Sequence, residues 1–204
     1  MKEMLDGVKW AFVQKGYRKR RNSFYKIEDG FYKLIDFQKG ACGGYFYINV
    51  GLHPIGLPVL RANALFIPDH PKEYECVLRE RVGEIVGEAK REFWSRAQNW
   101  IGDDLVPHII DVIEDIEAWF QKRGSFSTIL DCSFEEISKM FPVAPILWEK
   151  EYLLLKFYCA FQVGHIEEAE IFFNKYSDTA VKDMNFDGID SYLQSMLSSK
   201  NIER

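Results

Sequence analysis

Met4, Leu5, Val8, Phe12 and Val13 recur at helical spacing between charged positions and stop at Gly16, which predicts an amphipathic helix closed by a left-handed glycine. The period then shortens. Phe24 to Ile27 and Phe31 to Phe37 are aromatic-rich runs split by Asp29-Gly30, a dipeptide whose tolerance of positive φ predicts a tight hairpin. From Tyr45 to Leu52, the apolar Phe46, Ile48, Val50 and Leu52 alternate with Tyr45, Tyr47, Asn49 and Gly51 at the two-residue period of a strand. A stretch punctuated by Pro and Gly, His53 to Pro71, leads to a fourth strand over Tyr74 to Val82, with Arg79 and Arg81 on one side.

From about Gly83 the period is helical. Val106, Ile109, Ile110, Ile113, Ile116 and Phe120 form one stripe of a helix from Leu105 to Gln121, with Asp103 and Asp104 at its start as caps. Ser133 and Glu136 make a capping-box pattern before a short helix. An apolar helix from Pro145 to Val163 ends at Gly164, and a second, Glu167 to Tyr176, runs antiparallel to it. The fold class expected is α+β: an antiparallel sheet of about four strands with packed helices over residues 1–124, then an all-helical extension over 125–204 packed on it.

Charge changes this picture. The 204 residues carry 26 Lys plus Arg against 31 Asp plus Glu, a net charge of −5 that disfavours general attraction to phosphate backbones or anionic membranes. It is unevenly spread: residues 1–40 hold 10 basic and 5 acidic side chains, and the remainder 16 and 26. Cys42, Cys76, Cys132 and Cys159 are scattered singly without a C-x-x-C pair, so reduced thiols and a cytoplasmic setting are expected. The start, Met1 to Lys9, has no hydrophobic signal core. The longest uncharged run, Gly40 to Leu60, holds five Gly and two Pro and suits strand and loop better than a membrane span.

Gly16-Tyr17-Arg18, Phe24-Tyr25, the hairpin, Phe37-Gln38-Lys39, the strand Tyr45 to Gly51 and the strand Cys76 to Gly83 follow one another in an order that resembles the bacterial domain-of-unknown-function 4304 family over about residues 1–124. The resemblance implies an α+β domain and no established activity.

Three constellations are candidates for binding. Arg18, Arg20 and Arg21, with Tyr17, Phe24 and Tyr25 interleaved, can grip phosphate, pair with acidic residues or dock an acidic protein. Arg79 and Arg81, with Asn49 and Gln38 on neighbouring strands, would form a cationic floor for a carboxylate or phosphate, or tie a loop to the sheet. Asp111, Glu114 and Asp115 share a helix face that is either solvated or meets a basic partner.

Asp183 to Gly188 repeats the first half of a calcium loop, but its twelfth position is Gln194 where a bidentate Glu is needed. The four histidines lack metal-ligand spacing, and no nucleotide-binding glycine loop or nucleophile elbow is present. A Cys42 or Cys76 nucleophile with His53 is left open by the sequence, a buried structural thiol being the commoner fate. No metal and no cofactor are expected, and no membrane partner.

The function expected is a non-catalytic protein-binding module, of the immunity type that masks a toxin or enzyme. One alternative is a small-molecule enzyme or sensor binding an anion on the Arg79/Arg81 sheet face. The other, less favoured by the net charge, is an RNA binder acting through the Arg18 to Arg21 run.

Overall fold

The computed structural model describes residues 1–40, 45–60, 65–94, 98–99, 105–179 and 188–201. Cys42, Asp103, Asp104 and Asp183 to Asp187 lie outside the described residues. Helix α1, Lys2–Gln14, ends as its sequence dictates. Gly16 takes φ 85, and the Gly16 and Tyr17 amides donate to the carbonyls of Val13 and Phe12 at 3.0 Å, the pairing of a Schellman cap.

The strands β1 (Arg18–Arg20), β2 (Ser23–Glu28), β3 (Phe31–Lys39), β4 (Tyr45–Pro54) and β5 (Leu78–Arg81) form an antiparallel sheet in sequence order, and the two-residue β6 (Gln98–Asn99) pairs with β4. Asp29-Gly30 makes the β2–β3 turn with φ 54 and 83, the double positive φ of a type I′ hairpin. The sequence pattern expects about four strands and misses β1 and the two-residue β6; β1 is the one that bears on the site. Its three residues are Arg-Lys-Arg, so no apolar alternation announces it; pairing with β2 through the two-residue Arg21-Asn22 turn creates it.

Alternation sends Phe24, Phe31, Ile35, Phe37, Phe46, Ile48, Val50, Leu52 and Leu78 to one sheet face, which we call the inner face. There Phe12 of α1 stacks on Phe24 with ring centroids 4.3 Å apart. The helices α2 (Val82–Ile85), α3 (Glu88–Trp94), α4 (Val106–Asp111) and α5 (Ile113–Arg123) follow. The expected single helix over 105–121 is thus broken at Val112, where Lys90 Nζ donates to the Asp111 carbonyl at 2.8 Å, an intrusion of the kind that interrupts a helix ladder.

The remaining helices are α6 (Phe126–Asp131), α7 (Phe134–Ile137), α8 (Trp148–Gln162), α9 (Ile166–Asp178) and α10 (Ile189–Asn201). The Ser133/Glu136 capping box opens α7, with the Ser133 amide donating to Glu136 Oε2 at 2.5 Å. One hydrophobic cluster runs from Met4 through the sheet to Leu197, so the helical region after residue 124 shares its core with the sheet. Phe126 of α6 packs on Phe31 at 4.6 Å, and the Tyr158 and Tyr192 hydroxyls donate to the carbonyls of Ile55 and Gly56 beyond β4.

The outer face of the sheet is also covered in part. Between β4 and β5 the chain returns through His70–Cys76, with a 3-10 turn at Glu73–Glu75, and presses onto β4 at Gly51. A Cβ at residue 51 would lie 2.7 Å from Cys76 Sγ and 3.4 Å from the Glu73 carbonyl oxygen, so a side chain there would push the segment off the sheet. Gly51→Ala should therefore destabilise the protein by about 1–3 kcal/mol in denaturant melts. Adding Cys76→Ala should return part of that loss, and a neutral Gly51→Ala substitution would contradict the packing.

Candidate functional site

The register of the five main strands puts two rows of side chains across the outer face. Arg20, Ser23, Asp36, Asn49 and Arg81 are successive partners in one row, and Arg18, Tyr25, Leu34, Gly51 and Arg79 in the next. Each row begins and ends with an arginine, separated by four strand spacings, about 19 Å. The two basic sequence candidates, far apart along the chain, are thus opposite margins of one surface. Lys19 alternates to the inner side, where it binds Asp6 at 2.5 Å.

The margins differ in state. On β5, Arg79 makes a two-pronged ion pair with Glu73, Nε to Oε1 at 2.7 Å and Nη2 to Oε2 at 2.9 Å, and so fastens the returning segment to the sheet. Burial pushes the Glu73 carboxyl above its usual range, with Arg79 opposing the shift. Arg81 stacks its guanidinium 4.4 Å from the Tyr47 ring centre, and Asn49 donates to Gln38 Oε1 at 2.9 Å. On the β1 side, Arg18, Arg20 and Arg21 are exposed and have no carboxylate partner among the described residues.

Between the β1 margin and the returning segment lies a cavity of about 260 Å³. Arg20, Arg21 and Lys72 are its cations, Tyr25, Tyr32, Tyr74 and His70 its aromatic walls, and Asp36 and the Arg79-paired Glu73 its acids. Lys72 Nζ donates to the Tyr74 hydroxyl at 2.8 Å and has no carboxylate partner among the described residues. Asp36 accepts from Ser23 Oγ at 2.6 Å, and burial raises its pKa. The Tyr32 hydroxyl donates to the Asp69 carbonyl, and the His70 ring stands 6.2 Å from both Tyr25 and Tyr32.

The cavity can therefore hold an elongated group with negative charge near the cations and a hydrogen-bond donor toward Asp36. Sequence reasoning selected Arg20 and Arg21 with Tyr25 interleaved, but missed Asp36, Lys72, Tyr32, Tyr74 and His70. The β3 alternation carries a signal for Asp36, which falls on the same side as Tyr32 and Leu34.

Asp111, Glu114 and Asp115 lie away from this face and are paired: Lys90 with Asp111 at 2.9 Å and Asp115 at 2.8 Å, Lys15 with Glu114 at 2.5 Å. His53, also on the outer side of β4, is fully buried. The Val77 amide donates to its Nδ1 at 3.2 Å, so the ring's proton is on Nε2, 3.0 Å from the Leu57 carbonyl. Both nitrogens are thereby engaged with backbone, and neither is available to activate Cys76. Burial pushes that thiol up, and its Sγ donates to the Lys72 carbonyl at 3.5 Å. Among the described residues no group of His, Cys, Asp and Glu is arranged to hold a metal, and no helix is long and apolar enough to cross a membrane.

Burial pushes His53 down from 6.5 to about 4. An unfolded chain takes up the proton as pH falls through about 6.5, while the folded one resists to about 4. The His53 contribution to stability is thus complete above the higher value and withdrawn as pH falls toward the lower. A nuclear magnetic resonance titration should show this ring neutral, as the Nε2–H tautomer, at pH 6; a midpoint near 6.5 would contradict its burial.

A family model described as a domain of unknown function (DUF4304) matches residues 8–127, more than half of the chain. No curated protein and no solved structure matches the chain.

Proposed function

The chain belongs to the DUF4304 family, and from that premise we propose that it is a non-catalytic module that binds an acidic segment of a partner protein. The observation that carries this reading is the cavity whose cations Arg20, Arg21 and Lys72 have no carboxylate partner among the described residues while Asp36 lies among its lining residues. An inorganic anion would meet Asp36 as a repelling charge. A peptide can place an Asp or Glu on the cations and direct a hydroxyl or amide donor at Asp36.

The edge position of β1 supports a peptide further. Among the described residues β1 pairs only with β2, so its other edge is open to an added strand beside the cavity. Arginine is well suited to such contacts because its planar fork takes a carboxylate in two bonds and its charge speeds encounter. An immunity-type role, in which the module masks an acidic toxin or enzyme surface in a bacterial cytoplasm, is the biological form of the same reading. Its support is the basic margin and the scattered thiols, of which Cys76, Cys132 and Cys159 are unbridged.

Dodecapeptides selected by display on the wild type, with Arg20→Gln/Arg21→Gln/Lys72→Gln as counter-target, should be rich in Asp and Glu. Their affinity should fall tenfold or more in the triple variant and decline steeply as salt is raised. All three residues have solvent access, so the variant should keep its melting temperature. Selected peptides that are neutral or basic, or that bind the variant equally, would contradict the proposal, as would tighter binding of an oligouridylate to the same residues.

A further inference from the structure

A second cavity, of about 350 Å³, lies on the other side of Tyr74. Its lining is mostly apolar: Val59, Leu60 and Leu147 are buried at its base, and Pro142 and Ala144 are exposed at its mouth. Two carboxylates interrupt that lining, Glu75 and Glu151. Glu75 has an assigned task, since its Oε2 accepts the Lys72 amide at 2.9 Å and closes the 3-10 turn.

Glu151 has none. It lies in the first turn of α8 at 2% exposure, and among the described residues its Oε2 has no hydrogen-bond partner and no cation pairs with it. The loop in front of it is built rather than loose: Trp148 Nε1 donates to the Val143 carbonyl at 3.1 Å, and the Leu147 amide to the Ala144 carbonyl at 2.8 Å. An orphan carboxylate at the base of an apolar cavity is a costly arrangement for stability alone, because an apolar side chain would fill the same place without the desolvation penalty.

We propose that this cavity binds a small organic ammonium ion, with its nitrogen on Glu151 and its alkyl part against Val59, Leu60 and Leu147. Charge selects the cation, because the titratable lining groups are Glu75, Glu151 and the Tyr74 phenol, and none is basic. From α9 the buried Tyr176, whose hydroxyl also has no partner among the described residues, lies near enough to feel the Glu151 charge. Lys150, next to Glu151 on α8, lies 4.5 Å over the Tyr176 ring and is not part of the lining. The volume falls at the small end of ligand cavities, about 300–1,000 Å³, which suits a short alkyl chain. The site is separate from the cationic cavity and its occupant is of opposite charge.

Burial raises Glu151 from 4.5 to about 8, so near neutrality the empty site holds a proton that an ammonium ion must displace to solvent. Calorimetry with n-hexylammonium chloride, run at pH 7 in two buffers of different ionisation enthalpy, should show saturable binding with release of about one proton per ion. The alkylammonium itself stays charged, so affinity should rise roughly tenfold from pH 6 to pH 7. The neutral 1-hexanol should bind at least tenfold more weakly.

Glu151→Gln should lose at least tenfold in hexylammonium affinity at pH 8, and what binding is left should not depend on pH. The same substitution should melt higher than the wild type at pH 8 and converge with it at pH 4, since the wild-type carboxyl disfavours folding progressively as pH rises from 4.5 to about 8. Absence of saturable binding to the wild type, equal binding of 1-hexanol, binding without proton release, or unchanged affinity in the Gln variant would each overturn the proposal. Were the variant unable to fold, the proton count and the hexanol comparison on the wild type would still decide it.

Discussion

A buried carboxylate gripped by a guanidinium, Glu73 on Arg79, determines what this molecule's outer sheet face can do. Without that pair the turn at Glu73–Glu75 would bring a desolvated charge against β4, and the segment would have every reason to lift into water. With it, the segment rests in the notch left by Gly51, with Cys76 filling the space a side chain would occupy. His53 supports the same corner from within the chain, its ring joining the Val77 amide to the Leu57 carbonyl. The core beneath, shared by the sheet and the helices to Leu197, supplies rigidity, but the returning segment is what converts a flat sheet face into cavities.

Those cavities meet at Tyr74, which lines both. On one side the surroundings are three cations with aromatic walls, the acid Asp36 and a Glu73 already paired with Arg79; on the other they are aliphatic side chains with two acids and no cation. Opposite charge preferences on either side of one tyrosine follow from the chain path: the segment turns its Lys72 toward β1 and its Glu75 toward the loop before α8. The acidic helix face, by contrast, is quieted by Lys15 and Lys90, whereas the arginines of the β1 margin have no carboxylate partner among the described residues.

Local signals were legible wherever one short stretch fixes its own geometry. Gly16, Asp29-Gly30 and the Ser133/Glu136 box each require particular residues for backbone reasons that need no distant partner. The alternation of β4 was equally plain, and with it the sharing of one face by Asn49 and Gly51. Non-local causes were hidden. β1 exists because β2 pairs with it, and the break at Val112 coincides with a lysine 21 residues upstream on the Asp111 carbonyl. The site was half visible for the same reason: arginines stand out in any sequence, whereas Lys72, Tyr74 and Asp36 acquire meaning only when the 70–76 segment folds back. Glu151 is hidden inside an apolar helical run, since periodicity does not reveal which charged residue a helix buries.

The Arg79–Glu73 pair holds the returning segment on the sheet and thereby makes the cavities. Hydrogen–deuterium exchange of Arg79→Gln reads this directly. In that variant the amides of residues 70–77 should lose protection by tenfold or more while those of α1, β2 and β3 keep theirs. Unchanged protection across 70–77, or an equal loss everywhere, would contradict it.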